Sequence, residues 1–202
     1  MLLEAEESQL VLVDYQQKLM PSIHEGDLVV ANAIRLARVA LLLQVPVWAT
    51  EENPAGLGGT VEALQPLVAG RVLSKMAFDG SQVLLPRLRP AAKPAQGGNA
   101  RSLPKHLQKA APPPAATRDT IVLAGCEAHV CLMQTALGLL DEELEVWVVT
   151  DACSSRSERN RDAAFDRLAG AGAELVTTEM VAFEWLRDAG HPRFKEVLAI
   201  VK

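Results

Sequence analysis

The strongest constraint on the fold is a short apolar run that passes directly into a helical pattern. Residues 120–124 read TIVLA, and Gly125 ends the run. From Val130 onward, apolar residues recur at the spacing of a helix. Strands without polar residues are typical of parallel sheets that are covered on both faces. The stretch therefore predicts a strand, a tight turn and a helix within an α/β fold.

The same alternation runs along the rest of the chain. Strands are predicted at residues 10–13, 45–50, 71–74, 120–124, 144–150 and 173–178. Helices are predicted at residues 27–44, 61–68, 130–141, 159–171, 180–189 and 194–201. Strands that alternate with helices form parallel sheets with right-handed crossovers. We predict a three-layer α/β/α fold with a mostly parallel, about six-stranded Rossmann-like sheet.

The length of 202 residues fits a single domain with a sizeable core. Within it, residues 86–118 are rich in Pro, Ala and basic side chains. We predict an irregular insertion there, with a short helix near residues 103–110. Its default role is to join a helix to the strand at Thr120. Packing over a neighbouring subunit and shielding of a site are the alternatives.

Charge and cysteine content restrict the partners and the compartment. The net charge of −5 argues against nucleic acid and against anionic membrane as partners. No apolar run is long enough to span a bilayer, and the acidic start is unlike a signal peptide. Cys126, Cys131 and Cys153 form no CxxC pair, which is typical of a reducing compartment. We expect a cytoplasmic protein that acts on a small molecule.

Three ionisable side chains lie next to the ends of predicted strands. Asp14 follows the first strand, Lys75 follows the third, and Cys131 lies in the first turn of the helix after the fourth. Alone, each has an ordinary interpretation as a turn residue, a solvated lysine or a small buried thiol. Open α/β sheets place their chemistry at this edge, so the recurrence favours a shared site. The helix dipole would stabilise a thiolate and lower the pKa of Cys131.

Four segments in order make the chain resemble the isochorismatase-like cysteine hydrolases. They are LVLVDYQ at 10–16, SKMAF at 74–78, AGCEAHVCLMQTALGLL at 124–140 and VWVVTDACSSR at 146–156. The resemblance covers nearly the whole chain outside residues 86–118. It is closest to the isochorismatase domain-containing branch, whose substrate is generally unassigned. It implies a hydrolase of a small amide, imide or related compound that forms dimers or larger assemblies.

Residue by residue, the resemblance implies a catalytic triad of Asp14, Lys75 and Cys131. Asp14 would act as the general base, Lys75 would hold both anions, and Cys131 would attack the substrate. The resemblance also implies a cis peptide bond between Cys126 and Glu127. The backbone amides of Glu127 and Cys131 would then form an oxyanion hole.

The chain departs from the nicotinamidases in this family, which hold a metal through an Asp-x-His motif and further histidines. The corresponding loop here, TEENPAGLGG, contains no histidine. We therefore expect no metal and no other cofactor, and nicotinamide is disfavoured as a substrate. Aromatic residues make up only 4% of the chain, which leaves few for a pocket. The predicted pocket residues are Tyr15, Trp48, Phe78 and His129, with a surface or capping role as the alternative for His129.

Two other function classes stay open. A catalytically idle member of this fold could serve as an oligomeric binding or scaffold protein. A flavodoxin-like nucleotide-binding domain would share the order of strands and helices, but the chain has neither a GxGxxG motif nor a P-loop. The intact set of Asp, Lys and Cys favours the hydrolase. Isochorismate hydrolysis can proceed without a covalent thioester, so the triad alone leaves the reaction type open.

Overall fold

A parallel β-sheet forms the middle layer of the protein. The computed structural model describes residues 2–90 and 118–202. Within these ranges the strands are β1 (Ser8–Val13), β2 (Val47–Glu52), β3 (Val72–Lys75), β4 (Thr120–Gly125), β5 (Glu145–Val149) and β6 (Glu174–Val176). They lie in the order β3-β2-β1-β4-β5-β6, and every neighbouring pair is parallel. The predicted fold class is confirmed.

Helices cover the sheet in two groups. The described ranges contain α1 (Gly26–Leu42), α2 (Pro54–Leu57), α3 (Ser81–Leu88), α4 (Met133–Asp141), α5 (Glu158–Gly170), α6 (Thr178–Leu186) and α7 (Phe194–Val201). Helices α1, α6 and α7 pack against one another, while α4 packs against α3 and α5. The strand order runs outward in both directions from the β1–β4 pair, so right-handed crossovers place the two groups on opposite faces. No helix in these ranges is both long and apolar enough to cross a membrane.

The two central strands carry the most deeply buried part of the core. Every residue of β1 and of β4 is buried. Leu10, Leu12, Ile121 and Leu123 are at most 1% exposed, as the apolar sequence of both strands predicts. The loops that leave these strands therefore start from the most tightly packed backbone of the molecule.

Helix α3 was not predicted. It contains Pro86, a residue that usually ends or kinks a helix. The helix begins where the Asp79 carboxylate accepts hydrogen bonds from the backbone N–H and the hydroxyl of Ser81, at 2.7 and 2.9 Å. Its last turn takes up residues 86–88, which the sequence analysis assigned to the insertion. Residues 91–117, including the predicted helix near 103–110, lie outside the described residues.

Several boundaries are shifted by two or three residues, as in β2, which was predicted at 45–50 and spans Val47–Glu52, and in α6, which was predicted at 180–189 and spans Thr178–Leu186. Two of the differences have a clear physical reason. Residues 61–68 contain only a single 3-10 turn (Gln65–Leu67) with Pro66 at its centre, instead of a short α-helix. Strand β6 ends at Val176, two residues early, because Thr177 is the N-cap of α6. The Thr177 side chain accepts a hydrogen bond from the backbone N–H of Met180 at 3.4 Å. A threonine hydroxyl can satisfy a free N–H of the first helical turn, which favours a helix start here.

The end of β4 offers a test of the packing at the centre of the sheet. Gly125 pairs with Val13 of β1. A Cβ atom on Gly125 would lie 2.6 Å from the Val13 Cβ and even closer to the Val13 carbonyl oxygen. We expect Gly125→Ala to lower the free energy of unfolding by about 1–3 kcal/mol, since the central strands must separate to accept it. Urea-induced unfolding followed by circular dichroism measures the change.

Gly170→Ala is the matched control. A Cβ atom at Gly170, in the last turn of α5, would meet no atom within 4 Å. Alanine favours helices over glycine by about 1 kcal/mol, so this variant should unfold at the same urea concentration as the wild type or a higher one. Equal midpoints for both variants would contradict the close packing at Gly125.

Candidate active site

The predicted site residues meet at the point where the strand order reverses. Open α/β sheets bind ligands beyond the carboxyl ends of their strands at such a point. Here β1 leads into Asp14, and β4 leads through Cys126 to the turn that contains Cys131. Lys75 is the last residue of β3. All three predicted triad residues thus lie at the carboxyl ends of the strands, on the same side of the molecule.

Asp14 is completely buried, and both of its carboxylate oxygens are hydrogen-bonded. Oδ2 lies 2.7 Å from the Lys75 Nζ, and Oδ1 accepts a hydrogen bond from the Thr50 hydroxyl at 2.7 Å. The backbone of Asp14 is in the left-handed region, with φ of 54°. Aspartate tolerates this conformation better than most residues do. These constraints fix the direction of the carboxylate.

Lys75 is equally constrained. Its side chain is 2% exposed, and its ammonium group donates to Asp14 and to the carbonyl oxygens of Ala77 and Phe78, the latter two at 3.2 and 3.3 Å. A buried charge is tolerated only when it is paired and its donors are satisfied. The ion pair meets this condition, and it ties the loop after β3 to the site.

Cys131 lies in a π-helical turn (Ala128–Leu132) that precedes α4. It is 6% exposed. Burial is the main cause that raises the pKa of the Cys131 thiol well above its usual range. The negative charge of Asp14 and a hydrogen bond with its carboxylate raise this pKa further, while Lys75 lowers it. The predicted lowering of the pKa was wrong, because desolvation and Asp14 together outweigh the lysine. The resting side chain is a protonated thiol next to a carboxylate.

The turn before Cys131 is fastened to the loop after β5. The peptide bond between Cys126 and Glu127 is cis. The Glu127 Oε2 accepts hydrogen bonds from the backbone N–H and the Nε of Arg156, at 3.0 and 2.9 Å. The Ala128 N–H donates to the Ser154 carbonyl oxygen at 2.8 Å. The backbone amides proposed for the oxyanion hole therefore belong to a segment that the loop after β5 holds in place through these hydrogen bonds.

The other two cysteines, Cys126 and Cys153, are packed in the core outside the predicted triad. Cys126 and Cys153 are buried free thiols, and burial raises both pKa values, that of Cys126 to about 12. The Cys153 Sγ accepts a hydrogen bond from the Gly125 N–H at 3.3 Å. Both thiols lie within the core that supports the β4 turn.

Two predicted pocket residues have partners elsewhere in the fold. Tyr15 is 2% exposed, and its hydroxyl donates to the Ala152 carbonyl oxygen. Burial raises the pKa of this hydroxyl. The Trp48 Nε1 donates to the Gln9 Oε1 at 3.1 Å, and Trp48 pairs with Val11, near the middle of β1. These contacts give no support for a pocket role of either ring.

The other two predicted pocket residues differ from each other. Phe78 is 51% exposed on the loop after Lys75. His129 is partly buried, with its Nδ1 2.9 Å from the Ser155 hydroxyl and its Nε2 3.3 Å from the Asn160 Nδ2. These contacts join His129 to the start of α5, which favours the capping role.

No group of three or more His, Cys, Asp or Glu side chains in residues 2–90 and 118–202 could hold a metal ion.

Sequence reasoning missed the groups that position the triad. The Thr50 hydroxyl donates a hydrogen bond to Asp14, because Thr50 pairs with Val13, the residue before Asp14. Gln16 is completely buried, and its side-chain amide forms two hydrogen bonds with the backbone of Glu52. Its Oε1 accepts from the Glu52 N–H and its Nε2 donates to the Glu52 carbonyl oxygen, both at 2.9 Å. Gln16 lies inside the LVLVDYQ segment, which was the available signal.

The raised pKa of Cys131 predicts a specific pH dependence of its alkylation. The thiolate is the reactive form, so modification by iodoacetamide should be slow at neutral pH and should keep accelerating beyond about pH 8.5, where an ordinary cysteine is half ionised. Asp14→Asn removes the negative charge beside the thiol and leaves Lys75 to favour the thiolate. We expect that variant to be alkylated severalfold faster at neutral pH, as measured by mass spectrometry of the Cys131 peptide.

Lys75→Met is the counterpart, and it should slow alkylation because it removes the charge that lowers the pKa of Cys131. Rapid alkylation of wild-type Cys131 below neutral pH would contradict this account. So would a rate that is the same in both variants.

Comparison with known proteins shows which family the chain belongs to. Residues 8–180 match the model of the isochorismatase domain. Isochorismatase domain-containing protein 2A from Mus musculus is 38% identical over 197 residues, which cover 98% of this chain and 84% of that protein. Isochorismatase domain-containing protein 2 from Homo sapiens is 37% identical over 200 residues, which cover 96% and 83%.

Solved structures share the fold over nearly the full length. A structure described as the MAR1 ribonuclease from Caenorhabditis elegans has a TM-score of 0.83 at 29% identity and covers all of this chain, with 92% of its own chain matched. The YcaC gene product from Escherichia coli, described as an octameric hydrolase of unknown specificity, has a TM-score of 0.76 at 23% identity, with 99% and 87% covered. The resemblance found in the sequence is confirmed, and this chain belongs to the isochorismatase family.

Proposed function

We propose that this protein is a cysteine hydrolase that cleaves a small amide, imide or related compound. Cys131 is the nucleophile, Asp14 is the general base, and Lys75 is the cation that positions both. The observation that carries the proposal is the buried Asp14–Lys75 ion pair beside the thiol of Cys131. Fixed, fully buried charges of this kind are costly to fold and are typical of functional sites.

The first half of the reaction forms a thioester. As the Cys131 sulfur attacks the carbonyl carbon, its proton passes to the Asp14 carboxylate. The negative charge that develops on the carbonyl oxygen would be received by the backbone N–H groups of Glu127 and Cys131. Asp14 then gives its proton to the leaving nitrogen, the C–N bond breaks, and the acyl group remains on the sulfur.

Water completes the cycle. Asp14, again a carboxylate, takes a proton from a water molecule that attacks the thioester. The acid leaves, and the thiolate recovers the proton from Asp14. The site carries the same net charge before and after the first proton transfer, since a carboxylate and a thiol become a carboxylic acid and a thiolate. Lys75 therefore always faces one anion, and no uncompensated charge is buried during the reaction.

Screening of a library of small amides, imides and ureides for release of ammonia or amine tests this proposal. For any compound that is hydrolysed, Cys131→Ala should abolish turnover. Asp14→Asn should lower kcat by about 10²–10⁴-fold, the usual contribution of a general base. Cys153→Ala is the control that removes a buried thiol outside the triad and should retain activity. Acyl addition to the Cys131 peptide, trapped by acid quench, would report the thioester.

Hydrolysis that survives in Cys131→Ala would contradict the nucleophile. If no compound in the library is hydrolysed, the alternative of a catalytically idle binding protein with this fold gains support. RNA belongs in the same screen, because the C. elegans neighbour is described as a ribonuclease. We expect no RNA cleavage, since the net charge of −5 repels a polyanion.

We also propose that the protein is a homo-oligomer in a reducing, cytoplasmic environment. The E. coli neighbour is described as octameric. Met76 and Phe78, on the loop after β3, are 72% and 51% exposed, and Met180 and Phe183, on α6, are 46% and 38% exposed. A second subunit could cover either pair of large apolar side chains. The three thiols are free and buried, as in proteins of reducing compartments.

Light scattering coupled to size-exclusion chromatography should give a mass that is at least twice the chain mass of 21.7 kDa. Phe78→Ser should shift the assembly toward smaller species if the loop after β3 lies in the interface. Gln82→Ser, an exposed polar control on α3, should leave the mass unchanged. A wild-type mass of one chain would contradict the oligomer.

A further inference from the structure

Glu52 lies on the strand next to Lys75, one of the three triad residues. It is the last residue of β2 and pairs in register with Lys75 of β3. Residues two apart in a strand face the same side of the sheet, so Glu52 shares its face with Thr50, whose hydroxyl binds Asp14. Paired residues of neighbouring parallel strands also share a face, which places Lys75 on the same side. Glu52 therefore stands at the outer end of the row that holds the ion pair.

The backbone of Glu52 is rigidly held. Gln16 contacts both its N–H and its carbonyl oxygen at 2.9 Å, and the same Nε2 donates to the Gly58 carbonyl at 2.7 Å. The Gln16 backbone N–H donates to the Asp14 carbonyl at 2.8 Å. One buried amide thus fixes Glu52 relative to Asp14. Functional side chains need this kind of support to keep their geometry.

Among residues 2–90 and 118–202, no side-chain contact uses the carboxylate of Glu52, in contrast to that of its neighbour Glu51. The Glu51 Oε1 accepts hydrogen bonds from the backbone N–H and the hydroxyl of Thr60, both at 2.7 Å. In the part of the chain that the structure describes, no side-chain hydrogen bond or ion pair engages the Glu52 carboxylate. Lys75, its partner in register, directs its three donors to Asp14, Ala77 and Phe78. The charge of Glu52 nevertheless reaches the thiol, because it is one of the causes that raise the pKa of Cys131.

We propose that Glu52 is a specificity residue that binds a cationic amino or amidino group of the substrate, next to the carbonyl that Cys131 attacks. This inference rests on the hydrolase function proposed above. A partly buried carboxylate without an internal partner binds an ammonium or amidinium group through charge-assisted hydrogen bonds. It also rejects carboxylates, because two like charges in such a site repel each other. The substrate class is therefore a small amide that carries a positive charge.

Charged thiol reagents test the inference without a known substrate. Methanethiosulfonates form a mixed disulfide with a cysteine and release a sulfinate, and they exist in a cationic 2-aminoethyl and an anionic 2-sulfonatoethyl form. The quantity to measure is the ratio of the two rate constants at Cys131, read by mass spectrometry of its peptide. Any change in the pKa of Cys131 affects both reagents alike, so the ratio reports the charge near the thiol.

We expect Glu52→Gln to lower the ratio of cationic to anionic rates by about fivefold or more, as expected for a unit charge near the thiol. Glu62→Gln makes the same change of charge at an exposed position and should leave the ratio unchanged. A ratio that stays within twofold of the wild type in Glu52→Gln would overturn the inference. An equal fall in both variants would also overturn it, because the effect would then come from the general surface charge.

Kinetics separate this inference from the hydrolase proposal. With a cationic amide that is hydrolysed, Glu52→Gln should raise KM by about tenfold and leave kcat nearly unchanged, since the contact is present in both ground and transition states. If hydrolysed amides prove to be neutral or anionic and are unaffected by Glu52→Gln, the hydrolase stands and the specificity inference fails. If no amide is hydrolysed and the reagent ratio still falls, the hydrolase fails and the cation site stands.

Discussion

The buried ion pair between Asp14 and Lys75 is the interaction on which the rest of the site depends. It joins β1 to β3 across β2, and the Thr50 hydroxyl from the intervening strand completes the coordination of the carboxylate. Removal of one partner of a fully buried pair costs about 3–5 kcal/mol, because the remaining charge has no compensation. The position of β3, the loop after it and the turn of Asp14 are therefore coupled to one another through two charges.

Burial and the neighbouring Asp14 carboxylate together keep the Cys131 thiol protonated at rest, because both raise its pKa. Thiolates are the forms that oxidants attack, so a thiol with a raised pKa is protected in the absence of substrate. In the proposed mechanism, the sulfur becomes strongly nucleophilic only as Asp14 takes its proton. The proposed mechanism thus depends on a concerted proton transfer to a fixed base, in contrast to cysteines that are ionised beforehand by a neighbouring cation.

Apolar patterning predicted the six strands, and the ends of those strands located Asp14, Lys75 and Cys131. The sequence could not predict what depends on three-dimensional burial. The helix dipole and Lys75 suggested a lowered pKa for Cys131, whereas desolvation, which only the packed structure reveals, decides its direction. Gln16 and Thr50 also escaped prediction, since their partners are 36 residues away in the chain. Helix α3 was missed because local propensity at Pro86 was overridden by its tertiary context.

The π-helical turn at Ala128–Leu132 makes the position of Cys131 depend on the number of residues in this segment. Such a turn holds one residue more than an α-helical turn does. Loss of a single residue there would let the turn close to a regular α-helical one and would change the direction in which the Cys131 side chain leaves the backbone. A one-codon deletion in this segment would therefore disturb the contact between Cys131 and Asp14 even if the Cys131 side chain itself were kept.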